Sequence, residues 1–169
     1  MEQRWNRLLN VKYNIESLKK TSSPNVIYSL TEEAEAIANA CREAGITVTA
    51  FCDNEIRKTK KTYCGLEVVY TPGLPKRFPK ANFIIANHNL DDCAEQLSGL
   101  GYSESYSPLQ LFKNYDVSKY SHRTSQPYME KKIENAIKIN ELYFDDTKTY
   151  VRSLDVVITT KCSMNCVSC

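Results

Sequence analysis

The stretch Asn25–Asp53 reads NVIYSLTEEAEAIANACREAGITVTAFCD, and the fold turns on how it is parsed. NVIYSL (Asn25–Leu30) is a short apolar run with β-branched members, which predicts a buried strand. TEEAEAIANACREAG (Thr31–Gly45) opens with a residue suited to an N-cap. Acidic residues fill its first turn, alanines its body, and a glycine ends it, so it predicts a helix. ITVTAFCD (Ile46–Asp53) alternates and is rich in β-formers, which predicts a second strand. Strand, turn, helix and strand in this order imply a right-handed crossover and a parallel pair.

Further along the chain the alternation continues. LEVVY (Leu66–Tyr70) and ANFIIAN (Ala81–Asn87) are strand candidates, and YSESYSP (Tyr102–Pro108) offers a last one. LDDCAEQLSGLG (Leu90–Gly101) predicts a helix with Asp91 and Asp92 in its first turn and glycine at its end. TPGLPKRFPK (Thr71–Lys80) holds three prolines and a glycine and is expected to be irregular. Residues 24–108 therefore predict a small Rossmann-like three-layer α/β domain with a mainly parallel sheet.

The flanks carry different patterns. RWNRLLNVKYNIESLKK (Arg4–Lys20) places Trp5, Leu8, Leu9, Ile15 and Leu18 near helical spacing, so residues 1–23 are expected to contain an amphipathic helix. It could pair with a second copy or pack on its own domain. Residues 109–150 are expected to be a linker followed by a helix, QPYMEKKIENAIKINELYF (Gln126–Phe144). Pro127 suits its first turn, and Met129, Ile133, Ala136, Ile137 and Leu142 form its apolar face. SLDVVITT (Ser153–Thr160) predicts one more strand, within a segment 151–169 that opens a further domain.

Composition bounds the possibilities. Apolar residues make up 42% of 169, enough for a core, and charged residues 25%. A formal net charge of +2 gives no electrostatic reason to expect a nucleic-acid or membrane partner. The lysines of IRKTKKTY (Ile56–Tyr63) read as a solvated loop. No run approaches the roughly 20 apolar residues of a membrane span, and MEQRWNRLLN lacks a signal-peptide core, so a cytoplasmic protein is expected. Cys41, Cys52 and Cys93 fall in predicted elements and read as small buried hydrophobes; Cys64 lies in a loop.

The unit Asn25–Asp53 also has the layout of a dinucleotide site. Asp53 lies 22 positions after Thr31, near where a ribose-binding carboxylate is expected. The turn lacks the glycines that let a pyrophosphate approach the backbone: Ser29 and Thr31 stand in their place, followed by Glu32 and Glu33. A nicotinamide-dependent oxidoreductase is disfavoured for that reason, and His88 and His122 are isolated. His88, in NHN, follows a strand at the edge where such sheets take ligands, and reads as a loop histidine. Asp53-Asn54 and GLEVV (Gly65–Val69), with ANFIIANHNLDDCAEQLSGLGY, resemble the small Rossmann-like domains of bacterial sugar-modifying and polysaccharide-biosynthesis proteins. The resemblance implies a substrate-recognition role, with a nucleotide-linked sugar as one ligand.

The remaining three cysteines lie in CSMNCVSC: Cys162, Cys166 and Cys169, with three and two residues between them. Thiolates suit soft metals and iron–sulfur clusters, and this spacing lets one loop aim all three at a point. A structural zinc site needs a fourth ligand that the neighbourhood does not supply, and free thiols are the plain alternative. LDVVITTKCSMNCVSC (Leu154–Cys169), an apolar strand leading into C-x-x-x-C-x-x-C, resembles the opening of the radical S-adenosylmethionine family. Ser168 stands where that family often has an aromatic residue. The resemblance implies a 4Fe–4S cluster held by Cys162, Cys166 and Cys169. Its open iron would hold S-adenosylmethionine, whose reductive cleavage would give a radical that abstracts hydrogen. It also implies that the rest of a partial (β/α) barrel follows Cys169, and that residues 1–169 alone are inactive. Residues 24–108 are then an accessory domain for a substrate or partner, and a dimerisation module is the alternative.

Overall fold

The computed structural model describes residues 11–55, 62–121, 124–145 and 147. Their core is one parallel sheet of six strands: β1 (Val11–Lys12), β2 (Asn25–Tyr28), β3 (Val48–Asp53), β4 (Glu67–Tyr70), β5 (Asn82–Ile85) and β6 (Ser105–Tyr106). The strand order is β1-β6-β5-β2-β3-β4. The α-helices among the described residues are α1 (Glu33–Glu43), α2 (Leu74–Arg77), α3 (Leu90–Gly99), α4 (Leu109–Lys113) and α5 (Gln126–Phe144). The α/β architecture and the parallel sheet agree with the sequence pattern.

The strands β2 to β6 lie in doubly wound order. The chain starts centrally at β2, moves outward through β3 and β4, then returns to place β5 and β6 on the other side. The reversal lies between β2 and β5, whose registers pair Ile27 with Ile84 and Tyr28 with Ile85. Period-two alternation sorts the strand residues onto two faces. Ile27, Phe51, Ile84 and Tyr106 join one core with α1, and Val26, Ala50, Cys52, Phe83 and Ile85 join the other with α3. Each face is dry because a helix covers it, which is why the strands read as continuous apolar runs. The helix α1 supplies Ala34, Ile37 and Cys41 to the first core and ends at Gly45 (φ +73). There Ile46 N–H donates to the Cys41 carbonyl at 2.8 Å, closing the helix as the glycine predicts.

Three segments differ from the sequence pattern. Val11–Lys12 is a strand beside β6, and Glu16–Lys19 is a single 3-10 turn, so residues 11–19 do not form the expected amphipathic helix. Val11, Ile15 and Leu18 are all buried at near-helical spacing, but a strand end, a crossover and a turn deliver them. Backbone pairing at the sheet edge outweighs the local helical pattern here. Trp5, Leu8 and Leu9 lie outside the described residues.

The second difference is the segment after β6, read as a linker. It packs instead: Leu109, Leu111, Phe112, Tyr115 and Val117 are buried, most of them against α1 and α5. Polar residues between these positions face solvent and masked the pattern. The proline-rich stretch is the third. It forms a 3-10 turn (Thr71–Gly73) and the one-turn α2, because Pro72 and Pro75 sit at helix starts, where proline loses no hydrogen bond. No helix among the described residues is long and apolar enough to cross a membrane.

Candidate functional site

Open parallel sheets take ligands outside the carboxyl ends of the strands, where the strand order reverses. In this chain that place is the crevice between the β2–α1 turn and the segment after β5.

The turn is tied to both neighbouring strands. Ser29 has φ +77, a conformation that glycine adopts without the Cβ clash; the serine accepts that strain. Its N–H donates to the Cys52 carbonyl at 2.8 Å. Leu30 N–H donates to Asp53 Oδ2 at 2.7 Å, and Glu55 N–H to Asp53 Oδ1 at 2.8 Å. Thr31 does not cap α1 with its side chain; its hydroxyl donates across the crevice to the Ala86 carbonyl at 2.6 Å. The backbone donors that would greet a pyrophosphate at Ser29 and Leu30 thus have internal acceptors. Asp53 sits at the carboxyl end of β3, 7% exposed, with each carboxylate oxygen accepting from the backbone. A ribose hydroxyl would have to share those oxygens.

Above the crevice lies α5. Its buried residues are Met129, Ile133, Ala136, Asn140 and Tyr143, a four-three repeat that makes one stripe along the helix. Met129, Ile133 and Ala136 enter the α1-side core, whereas Tyr143 enters the α3-side core. The helix therefore crosses the carboxyl edge of the sheet from one face to the other. Burial of Met129 and Ile133 alone contributes about 3–6 kcal/mol, too much for a loosely held lid.

Polar contacts seat the same helix along its length. At its start, Lys132 Nζ lies 3.1 Å from Glu32 Oε2, and Tyr128 Oη donates to the same oxygen at 2.9 Å. The lysine ammonium first, then the phenol, holds the Glu32 carboxyl below its usual range. At its middle, Ser107 Oγ donates to Asn140 Oδ1 at 2.7 Å, and Asn140 Nδ2 donates to the Ala136 carbonyl at 2.8 Å. Near its end, Tyr143 Oη donates to Asp91 Oδ1 in the first turn of α3.

Among the described residues the crevice holds a pocket of about 10 Å³, lined in part by Glu33, Ala86, His88 and Asn140. Ligand sites for small organic molecules run to about 300 Å³ and above, so this pocket among the described residues is too small for a nucleotide. The potential there is also satisfied internally. Glu33 and Asp91 occupy the first turns of α1 and α3, where an anionic ligand would gain most from the helix dipoles.

Beside the crevice a second polar group links β3 to α3. Asn54 and Gln96 exchange amide hydrogen bonds at 2.9 and 3.2 Å, and Tyr28 Oη donates to Gln96 Oε1. Burial pushes the Tyr28 phenol up to about 12. Cys41, Cys52 and Cys93 are buried, and Cys64 is exposed. Burial pushes the Cys41 and Cys93 thiols up to about 12 and the Cys52 thiol higher still, so all three stay protonated and unreactive.

The sequence pointed to Asp53 and His88, and both lie at this edge. It weighed Glu33 only as a charge set against a pyrophosphate, and it missed Lys132 and Asn140. Asn140 was visible in principle, because it stands on the stripe 129, 133, 136, 140, 143. Cys162, Cys166 and Cys169 lie outside the described residues, as do His122 and most of the lysine-rich loop. Among the described residues no group of three or more histidines, cysteines or acidic residues could hold a metal ion. No protein-family model, curated protein or solved structure matches the chain.

Proposed function

We propose that the α/β region is an accessory domain of a radical S-adenosylmethionine enzyme, and that Cys162, Cys166 and Cys169 hold its 4Fe–4S cluster. The observation that carries this reading is the C-x-x-x-C-x-x-C spacing directly after the apolar run LDVVITT. The donor set fits the group: three thiolates bind three irons of a cubane and leave the fourth open. When bound, the cluster and S-adenosylmethionine supply reductive radical chemistry. The chain's own part is to hold three thiolates deprotonated and together.

The closed switch point supports a role for the accessory domain in which it contacts a substrate or partner through its surface. A nucleotide-linked sugar would need a site other than that crevice. The helix α5 is seated on the sheet and precedes the cysteine motif in the chain.

The test is anaerobic reconstitution with iron and sulfide of the protein at its full natural length, including any residues after Cys169. About four irons and four sulfides per chain are expected, with loss of the cluster on Cys166→Ala. Binding of a single zinc and no sulfide would refute the reading.

A further inference from the structure

Glu33 opens α1 with its side chain 6% exposed, and its Oε1 has no hydrogen-bond partner among the described residues. Two nitrogens approach this oxygen without reaching hydrogen-bond distance: His88 Nε2 at 3.7 Å and Lys132 Nζ at 3.9 Å. The small pocket left under α5 borders the same carboxylate, together with Asn87, His88 and Asn140. A buried carboxylate oxygen demands a donor. Its volume, about 10 Å³, is about the least that admits one water molecule.

We propose that this pocket is a binding site for a single water molecule, which donates to Glu33 Oε1 and bridges it to His88 Nε2. The spacings suit a bridge, since groups too far apart to bond directly are within reach of one intervening water. The occupant is a neutral donor and not a cation. Lys132 already brings positive charge to the oxygen, and the amino end of α1 adds its own. The water joins α1 through Glu33 to the segment after β5 through His88, in a pocket that α5 borders with Ala136 and Asn140. The crevice that takes a ligand in open α/β sheets thereby keeps one solvent molecule that helps to seat the helix closing it.

The test begins with the wild-type protein. A water–amide cross-relaxation spectrum should show a long-lived water at the amides of Ala86 and Asn87. That cross-peak should vanish in Glu33→Leu, which fills the pocket with apolar volume. No cross-peak in the wild type, or one that persists unchanged in Glu33→Leu, would show that no water is held at this carboxylate and overturn the proposal. A midpoint that rises with potassium or ammonium at fixed ionic strength would identify a cation and overturn it as well.

Discussion

Replacing Ile133 by alanine probes whether α5 is part of the fold or a separable connection. Ile133 is 4% exposed and lies in the α1-side core with Ala34 and Ile37 among its members. Truncation removes three carbons from a packed site and leaves a cavity, which costs about 2–5 kcal/mol. If α5 is one cooperative unit with the sheet, that loss appears in global unfolding. For a domain of this size it corresponds to a fall in midpoint of about 3 °C per kcal/mol, roughly 6–15 °C in all. Urea denaturation followed by circular dichroism and by tyrosine fluorescence should give coincident curves, both shifted, with an unchanged slope. Amide exchange adds a second reading: the α5 amides should be protected nearly as well as those of β2. A change under about 1 kcal/mol in global stability, or α5 amides exchanging freely while β2 stays protected, would refute the claim that α5 closes the switch point as part of the core.

Three further outcomes follow from the carboxyl edge. Asp53→Ala should destabilise by about 1–3 kcal/mol, because Leu30 and Glu55 lose their acceptor; thermal unfolding and faster exchange at the Leu30 amide would report it. Ser29→Gly should raise the midpoint by releasing the left-handed strain, worth about 1 kcal/mol, measured by the same melts. Glu32 has its carboxyl lowered by Lys132 and Tyr128, so its contribution is present above the ordinary value of 4.5 and is lost as pH falls through the lower folded value. Amide shifts in the first turn of α5 should therefore move in that acid window, and Glu32→Gln should abolish the movement. In a protein with Cys162, Cys166 and Cys169 replaced by serine, a thiol reagent should modify Cys64 quickly and spare Cys41, Cys52 and Cys93 until unfolding.

The sheet was legible because its signals are local. The apolar runs at Asn25, Val48 and Asn82, and the glycine closing α1, each carry their own physics at short range. The N-terminal segment was not legible in the same way. Val11, Ile15 and Leu18 satisfy a helical period, and only the pairing of Val11 with Ser105, far along the chain, makes the first of them a strand residue. Leu109 to Val117 misled for the opposite reason: short turns bury their apolar residues without any sustained period. At the site, Asp53 and the absence of turn glycines were visible in the sequence, but their meaning was not. That depended on Leu30 and Glu55 reaching the carboxylate, and on α5 crossing the edge of the sheet. The helix itself was foreseen over Gln126–Phe144. Its destination was not, because a stripe of buried positions says that a helix packs and not what it packs on.

Electron paramagnetic resonance of the reduced, reconstituted full-length protein tests most directly whether the cysteine motif serves radical chemistry. The expected signal is that of a reduced 4Fe–4S cluster that changes when S-adenosylmethionine is added and disappears in Cys162→Ala. A protein that forms no such cluster, or one whose signal ignores S-adenosylmethionine, would contradict that role.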